Sequence, residues 1–438
     1  YTRSVAFFFM GTYSYKGIYT LTGTGRYEGT NRLGKSRSAR WLPTWNVAGA
    51  WNVHEEKFYS NFTNPVLSHA TLKASYSLTA DRGPAFVTNS QAILNSYSPW
   101  RPSASVTESG MRITELENSE LTYEKKHEFN VGIDLGFLKN RLNLAADYYR
   151  RNNFDLIGVI NTQGAGGTIA KYANIASMKS SGIELTISSK NMRTKDFSWN
   201  TDFIFSKTKN EITDLKSHAN VLSLISGNGF GREGYPVRGL FSIPFAGLTE
   251  DGLPTFINQD GQKTISSFNF QEYEKLDFLK YEGPTDPTIT GSFGNILTYK
   301  NLKLNVFVTY SFGNVIRLDP VFSNAYSDLD AMPKEFKNRW MKAGDENVTN
   351  IPTIVSTRMN QQYAYLNMAY NAYNYSDVRI ADGGFIRLKE ISLSYDLPAK
   401  VINFFRLNKL QLKLQATNLC LLYADSKLNG QDPEFFRS

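Results

Sequence analysis

The residues best suited to acid–base or metal chemistry are the four histidines, His54, His69, His127 and His218. A helical zinc site needs two of them four residues apart with a glutamate between, and no pair has that spacing. His127, flanked by Glu124 and Glu128, comes nearest to a ligand set. It stands where a strand begins, however, and charged rim residues belong there. Two glycine groups, GTG at 23–25 and GNGFG at 227–231, resemble phosphate-cradling loops. Such a loop needs a strand before it and a helix after it. The first lies inside a strand alternation, and the second runs into Glu233-Gly-Tyr-Pro236, which opens no helix. NQDG at 258–261 begins like a calcium loop but lacks the bidentate glutamate that should follow. Cys420 is the only cysteine, so neither an intrachain disulfide nor a thiolate zinc site can be built. The expectation is therefore no catalytic set, no metal site and no cofactor: a chain that binds or moves something rather than transforming it.

What these residues sit on is more informative. The chain has 438 residues, 41% of them hydrophobic, and a mean hydropathy of −0.36. No apolar run approaches the ~20 residues of a membrane-spanning helix. A spanning β-barrel stays open as a class, because its strands alternate polar and apolar residues and average out as polar. Aromatic residues make up 14%, with 25 Tyr and 29 Phe; Tyr and Trp favour membrane interfaces, where one end of the ring is wet. The formal charge is +8. Lys and Arg are scattered and the densest spots, Lys125–Lys126 and Arg150–Arg151, are short, which argues for basic rims and against a nucleic-acid surface. Tyr1-Thr-Arg-Ser4 leads straight into strand-like sequence with no charged leader, so the chain reads as an internal portion of a longer protein.

Period-two alternation, the primary strand signal, recurs along the chain. Phe129, Val131, Ile133, Leu135 and Phe137 alternate with Asn130, Gly132, Asp134 and Gly136. Leu142, Leu144, Ala146 and Tyr148 alternate with Asn143, Ala145, Asp147 and Tyr149. Leu302 to Phe312 and Leu410 to Ala416 behave likewise. One strand breaks phase: Ile386 and Leu388 hold one parity, Ile391, Leu393 and Tyr395 the other. A β-bulge near Lys389–Glu390 is predicted, since one extra residue flips every facing after it. About a dozen strands reach spanning length (~9–11 residues). Short turns such as FLKNR at 137–141 and YKNL at 299–302 join them at one end, and long polar connections, residues 80–122, 213–238, 248–286 and 315–384, at the other. Short turns opposite long loops are the pattern of an outer-membrane barrel.

The same windows resemble the C-terminal barrel portion of a SusC/RagA-type TonB-dependent transporter of the Bacteroidetes outer membrane. The stretch WNVAGAWNVHEEKF at 45–58 is similar to the family's aromatic strand, and YEKKHEFNVGIDLGFLKNRLNLAADYYRRNNFDL at 123–156 to its most recognisable hairpin. Residues 174–187, containing Ser181-Gly-Ile-Glu184, resemble another strand pair. DVRIADGGFIRLKEISLSYDL at 377–397 and LQATNLCLLYADSKLNGQDPE at 414–434 resemble the last hairpins. The resemblance runs from near residue 1 to 434 in the family's order. The family's usual Asp-Gly-Ser-Ser is here Glu28-Gly-Thr-Asn31.

The resemblance implies an all-β, antiparallel transmembrane barrel. Residues 1–438 would be part of a roughly 22-stranded wall, with long extracellular loops and no separate soluble domain; the plug and the last strand lie outside this sequence. It implies import of a nutrient, an oligosaccharide or an oligopeptide, across the outer membrane of a Gram-negative bacterium. The implied partners are a SusD-like lipoprotein lid, the TonB complex acting through the plug, and outer-membrane lipid. The implied role is not enzymatic. Two loops carry candidate substrate-binding residues: Trp100 and Arg101 in one, and Tyr363, Tyr365, Tyr370, Tyr373, Asn374 and Tyr375 in the other. The alternative is a soluble or surface-attached all-β glycan-binding or adhesion protein. The two readings part on whether the apolar faces meet another protein layer or stand open.

Overall fold

The computed structural model describes residues 3–61, 66–84, 91–100, 108–162, 164, 170–321, 334–363, 365–398, 402 and 407–434. Twelve long strands form the wall: β1 Ser4–Tyr15, β2 Tyr19–Thr30, β3 Trp41–Asn52, β4 Leu67–Asp81, β5 Glu124–Phe137, β6 Leu142–Asn161, β7 Ala170–Arg193, β8 Phe197–Leu215, β9 Ile289–Tyr299, β10 Leu302–Phe312, β11 Phe385–Asp396 and β12 Gln411–Ala424. The chain divides into two compact units, Tyr1–Ser189 with Thr208–Ser217, and Lys190–Lys207 with His218–Ser438.

In the first unit β1 to β7 lie side by side in sequence order, each antiparallel to the next. Register carries the alternation across the strands. Leu21, Gly49, Ala74, Val131, Tyr148 and Ile183 fall in one row, and Trp51, Leu72, Ile133, Ala146 and Leu185 in the next. This face stays open: Val131, Tyr148 and Ile183 are 40, 43 and 50% exposed. In the second unit Trp199, Leu297, Leu304, Leu393 and Leu414 form an equivalent row from β8 to β12, and Leu414 is 75% exposed. A water-soluble protein rarely exposes so large a continuous apolar surface.

The predicted bulge is present. Leu388 pairs with Val308 and Glu390 with Phe307, so Lys389 is the extra residue. It restores Ile391 and Leu393 to the apolar face. At the short turns, residues that must take a left-handed backbone do so: Lys16 and Gly17, Leu138 to Asn140, and Lys300.

The long connections depart from the sequence reading. Residues 213–238 and 248–286 read as two loops, but all of 216–288 is one connection. Its strand Gly239–Ser242 is buried on both faces and packs into a loop core instead of joining the wall. That core joins Val221, Leu224, Phe241, Ile243, Phe256 and Tyr373. A satellite of Leu253, Leu366, Ala369 and Tyr370 lies within the same unit. The tyrosine-rich stretch read as loop contains a helix, Leu366–Asn374.

Candidate functional site

The face opposite the apolar rows is polar and cross-linked. Lys73 on β4 meets Asp134 on β5 at 2.7 Å. Glu128 lies between Lys126 at 2.7 Å and Arg151 of β6 at 3.2 Å. The Tyr149 hydroxyl pairs with Thr208 Oγ1 at 2.9 Å. Gly132 leaves room for the Asp147 carboxylate, which reaches across from β6 over its Cα. In the second unit Asn305 donates to Glu390 at 3.2 Å. Such a face offers charges, hydroxyls and amides to a polar solute.

His127 sits among aromatic rings. Its ring stacks on Tyr76 at 5.7 Å and Phe154 at 5.6 Å, on the apolar parity, where the rows reach the long-loop end. Asn258 closes a hairpin turn: its side-chain oxygen accepts from the Asp260 and Gln262 amides.

The candidate residues are spread over distinct surroundings. Trp100 stands free in the first unit, 86% exposed, and Arg101 lies outside the described residues. Tyr363 and Tyr365 line a cavity of about 530 Å³ with Lys263, Thr264 and Gln362. Tyr363 donates to Asp251 at 3.1 Å. Tyr370, Tyr373 and Asn374 are buried. Tyr370 donates to the Thr353 carbonyl at 2.6 Å, and Asn374 accepts from the Val321 amide at 3.2 Å. Burial pushes the Tyr373 phenol up to about 12, against the pull of the Arg379 guanidinium. These three are packed into or against the loop core, with Tyr373 also on the wall of a cavity of about 580 Å³ beside Glu335 and Arg379. Tyr375 is half-buried beneath the Arg317 guanidinium at 5.6 Å. Arg317 itself donates to the Phe241 and Ser376 carbonyls at 2.7 and 3.2 Å, and burial pulls it down to about 10.

A second cavity, of about 810 Å³, opens on the polar face at the long-loop end of β1 to β4. Arg26, Glu28, Arg32, Arg82 and Tyr123 line it. No motif announced it. The only sequence signal is that Arg26 and Glu28 occupy the polar parity of β2.

The profile of the family described as "TonB dependent receptor-like, beta-barrel" matches residues 1–419. The chain belongs to the TonB-dependent receptor family. Curated relatives agree. TonB-dependent receptor P3 of Formosa agariphila is 25% identical over 99% of this chain and 42% of its own length. TonB-dependent receptor SusC of Bacteroides thetaiotaomicron is 27% identical over 75% of this chain and 34% of its own length. Among solved structures, the RagAB peptide transporter shares the fold with a TM-score of 0.78 at 22% identity, over 99% of this chain and 45% of that one. The chain thus spans about two fifths of the curated relatives it matches. As a TonB-dependent receptor barrel the chain resides in the outer membrane. In barrels of this kind apolar strand faces meet lipid and polar faces line the lumen.

One tether in this receptor barrel is expected to respond to pH. Arg387 of β11, 5% exposed, is paired with Asp432 and, at 3.1 Å, with Glu434. Partial burial pushes the Asp432 carboxyl up, but the hydrogen bonds from Arg387 and the Glu434 amide outweigh it and hold it below its usual range. A depressed folded pKa stabilises above the unfolded value of ~3.9 and is lost as pH falls through the folded one. Hydrogen-exchange protection at residues 425–434, taken relative to the unfolded chain at the same pH, should therefore hold from pH 7 to 5 and fall below about pH 4. Unchanged protection at pH 3 would remove this ion pair as the tether.

Proposed function

We propose that this chain supplies part of the wall and the extracellular loops of an importer for nutrient oligomers, either oligopeptides or oligosaccharides. It works with a SusD-like lipoprotein over its mouth and with the TonB complex through a plug. It carries out no covalent chemistry on its cargo. The observation that carries the reading is that in each unit the long strands have two unlike faces: open apolar rows, and opposite them paired charges, hydroxyls and amides. A folded loop module at the outer end offers a surface for a lid. The names of the similar proteins support the reading, SusC among the relatives and a peptide transporter among the neighbours in fold. A soluble glycan-binding protein would need its apolar rows covered. The test uses the full receptor, affinity-tagged and solubilised from outer membranes. A surface lipoprotein should co-purify in equal amount, and deleting the receptor should abolish uptake of one class of oligomer. A receptor that purifies alone from mild detergent would defeat the lid; unaltered uptake of peptides and glycans alike would defeat the import reading.

A further inference from the structure

We propose that Arg26, Arg32 and Arg82 form a subsite for a carboxylate of an acidic oligopeptide, with Glu28 as the resident counter-ion. This rests on the import reading only in that the polar face is where cargo passes.

The cluster is built by register, not by sequence proximity. Arg26 and Glu28 share the lumen parity of β2, and Arg26 lies opposite Phe8. Arg82 follows the end of β4. Arg32 is fixed by donating through Nη2 to the Arg82 and Gly83 carbonyls, both at 2.8 Å. Its Nε is buried without a hydrogen-bond partner among the described residues. Tyr123 closes the inner wall, its hydroxyl donating to the Arg40 carbonyl at 3.2 Å. Burial pushes that phenol up, while Arg82, Arg26 and Arg32 each pull it down, as three guanidinium groups converging on one point must.

Glu28 is bridged by one carboxylate oxygen to Arg26 and by the other to Arg82. It is 13% exposed. One carboxylate offsets one of three positive charges. The other acid on the wall, Asp81, accepts from the Gly83 amide through Oδ1 at 2.9 Å and keeps its charge, so three guanidiniums face two carboxylates. An excess positive charge and several guanidinium donors remain, in fork geometry suited to a second carboxylate. The cavity falls within the ~300–1,000 Å³ usual for ligand sites. Its remaining lining decides for peptide. Phe8, Met10 and Leu42 offer apolar contact beside the guanidiniums, and Thr24, Thr44 and Asn46 offer hydrogen bonds to a peptide main chain. A uronic acid would present hydroxyls to those apolar side chains.

The test uses the full receptor with its lipoprotein partner in detergent at low salt, by titration calorimetry. The probes are acetyl-Phe-Asp-Ala-Glu-amide, its Asn/Gln counterpart, and tetragalacturonate. The unaltered complex should bind the acidic peptide at least about tenfold more tightly than the neutral one, an energy difference of ~1.4 kcal/mol. Arg26→Gln and Arg82→Gln should bring that ratio close to one. Glu28→Gln, which removes the competing carboxylate, should tighten acidic-peptide binding. That opposite sign is what a merely structural role of the cluster would not produce. Heat-modifiable migration on gels confirms that each variant folds. No charge preference in the unaltered complex, a preference untouched by both arginine changes, or Glu28→Gln weakening binding would each overturn the proposal. Tighter binding of tetragalacturonate than of the acidic peptide overturns the peptide assignment. Cellular uptake is read separately. Charge preference retained by the purified complex while receptor deletion leaves uptake intact would sink the import reading and leave the subsite standing.

Discussion

Leu185→Arg is expected to cost the folded barrel about 2–4 kcal/mol, the depth-dependent penalty for a guanidinium at the bilayer midplane. Thr186→Arg, one residue on, should change stability by only about 0.5 kcal/mol. The two positions differ by one step along β7 and therefore face opposite solvents. Leu185 pairs with Ala146, which pairs with Ile133. Along β5 the apolar parity runs from Phe129 to Phe137 with Ile133 at its centre. Eight steps of ~3.4 Å at a tilt of ~40° make that band about 20 Å tall, close to the ~25 Å apolar belt of outer-membrane barrels. Leu185 is the middle of β7's own apolar run, Ile183 to Ile187, where snorkelling to either headgroup layer is hardest. Urea unfolding of the full receptor in bilayers reads the difference. Equal tolerance of arginine at both positions would mean that this face does not meet lipid.

The wall was legible in the sequence because its signal is short-ranged. Each strand states its two faces by alternation, and even the bulge at Lys389 shows as a slip of parity between Leu388 and Ile391. What alternation cannot say is which strands lie together across a gap. Arg26 and Glu28 look like ordinary rim charges until Arg82, more than fifty positions on, comes to share their cavity. The loop module failed for a different reason. Leu366, Ala369, Tyr370 and Tyr373 do hold the i, i+3, i+4, i+7 spacing of a buried helix face. The segment is short and rich in Tyr and Asn, both weak helix formers, so it reads as polar loop. Tertiary burial supplies the helix its stability. The same burial makes Tyr370, Tyr373 and Asn374 part of the loop packing, while Tyr363 and Tyr365 line a cavity.

That burial also concentrates risk at one side chain. Arg379 is 3% exposed; it meets Glu335 at 2.7 Å, donates to the Asp319 carbonyl and lies 5.9 Å from the Tyr373 ring. Its own carbonyl accepts from the Leu318 amide at 2.9 Å. It thereby ties residues 318–319 and 335 to the segment that follows the helix. Arg379→Leu leaves the Glu335 carboxylate without its ion-pair partner in a largely buried place, a change that typically costs about 3–5 kcal/mol. The cost falls on the loops and not on the strand ladder, so the barrel should keep its heat-modifiable migration while the 313–384 connection becomes open to trypsin. Proteolysis of this kind follows the population of the open form when reclosure is fast, and the expected loss corresponds to cutting more than a hundredfold faster (1.4 kcal/mol being about tenfold). A charge-free replacement of both partners, Arg379→Met with Glu335→Leu, should recover most of the protection, because the penalty comes from an orphaned charge more than from the pair's own attraction. If the double variant is cut as fast as the single one, the guanidinium's hydrogen bonds to the backbone, and not its pairing with Glu335, hold the loop module closed.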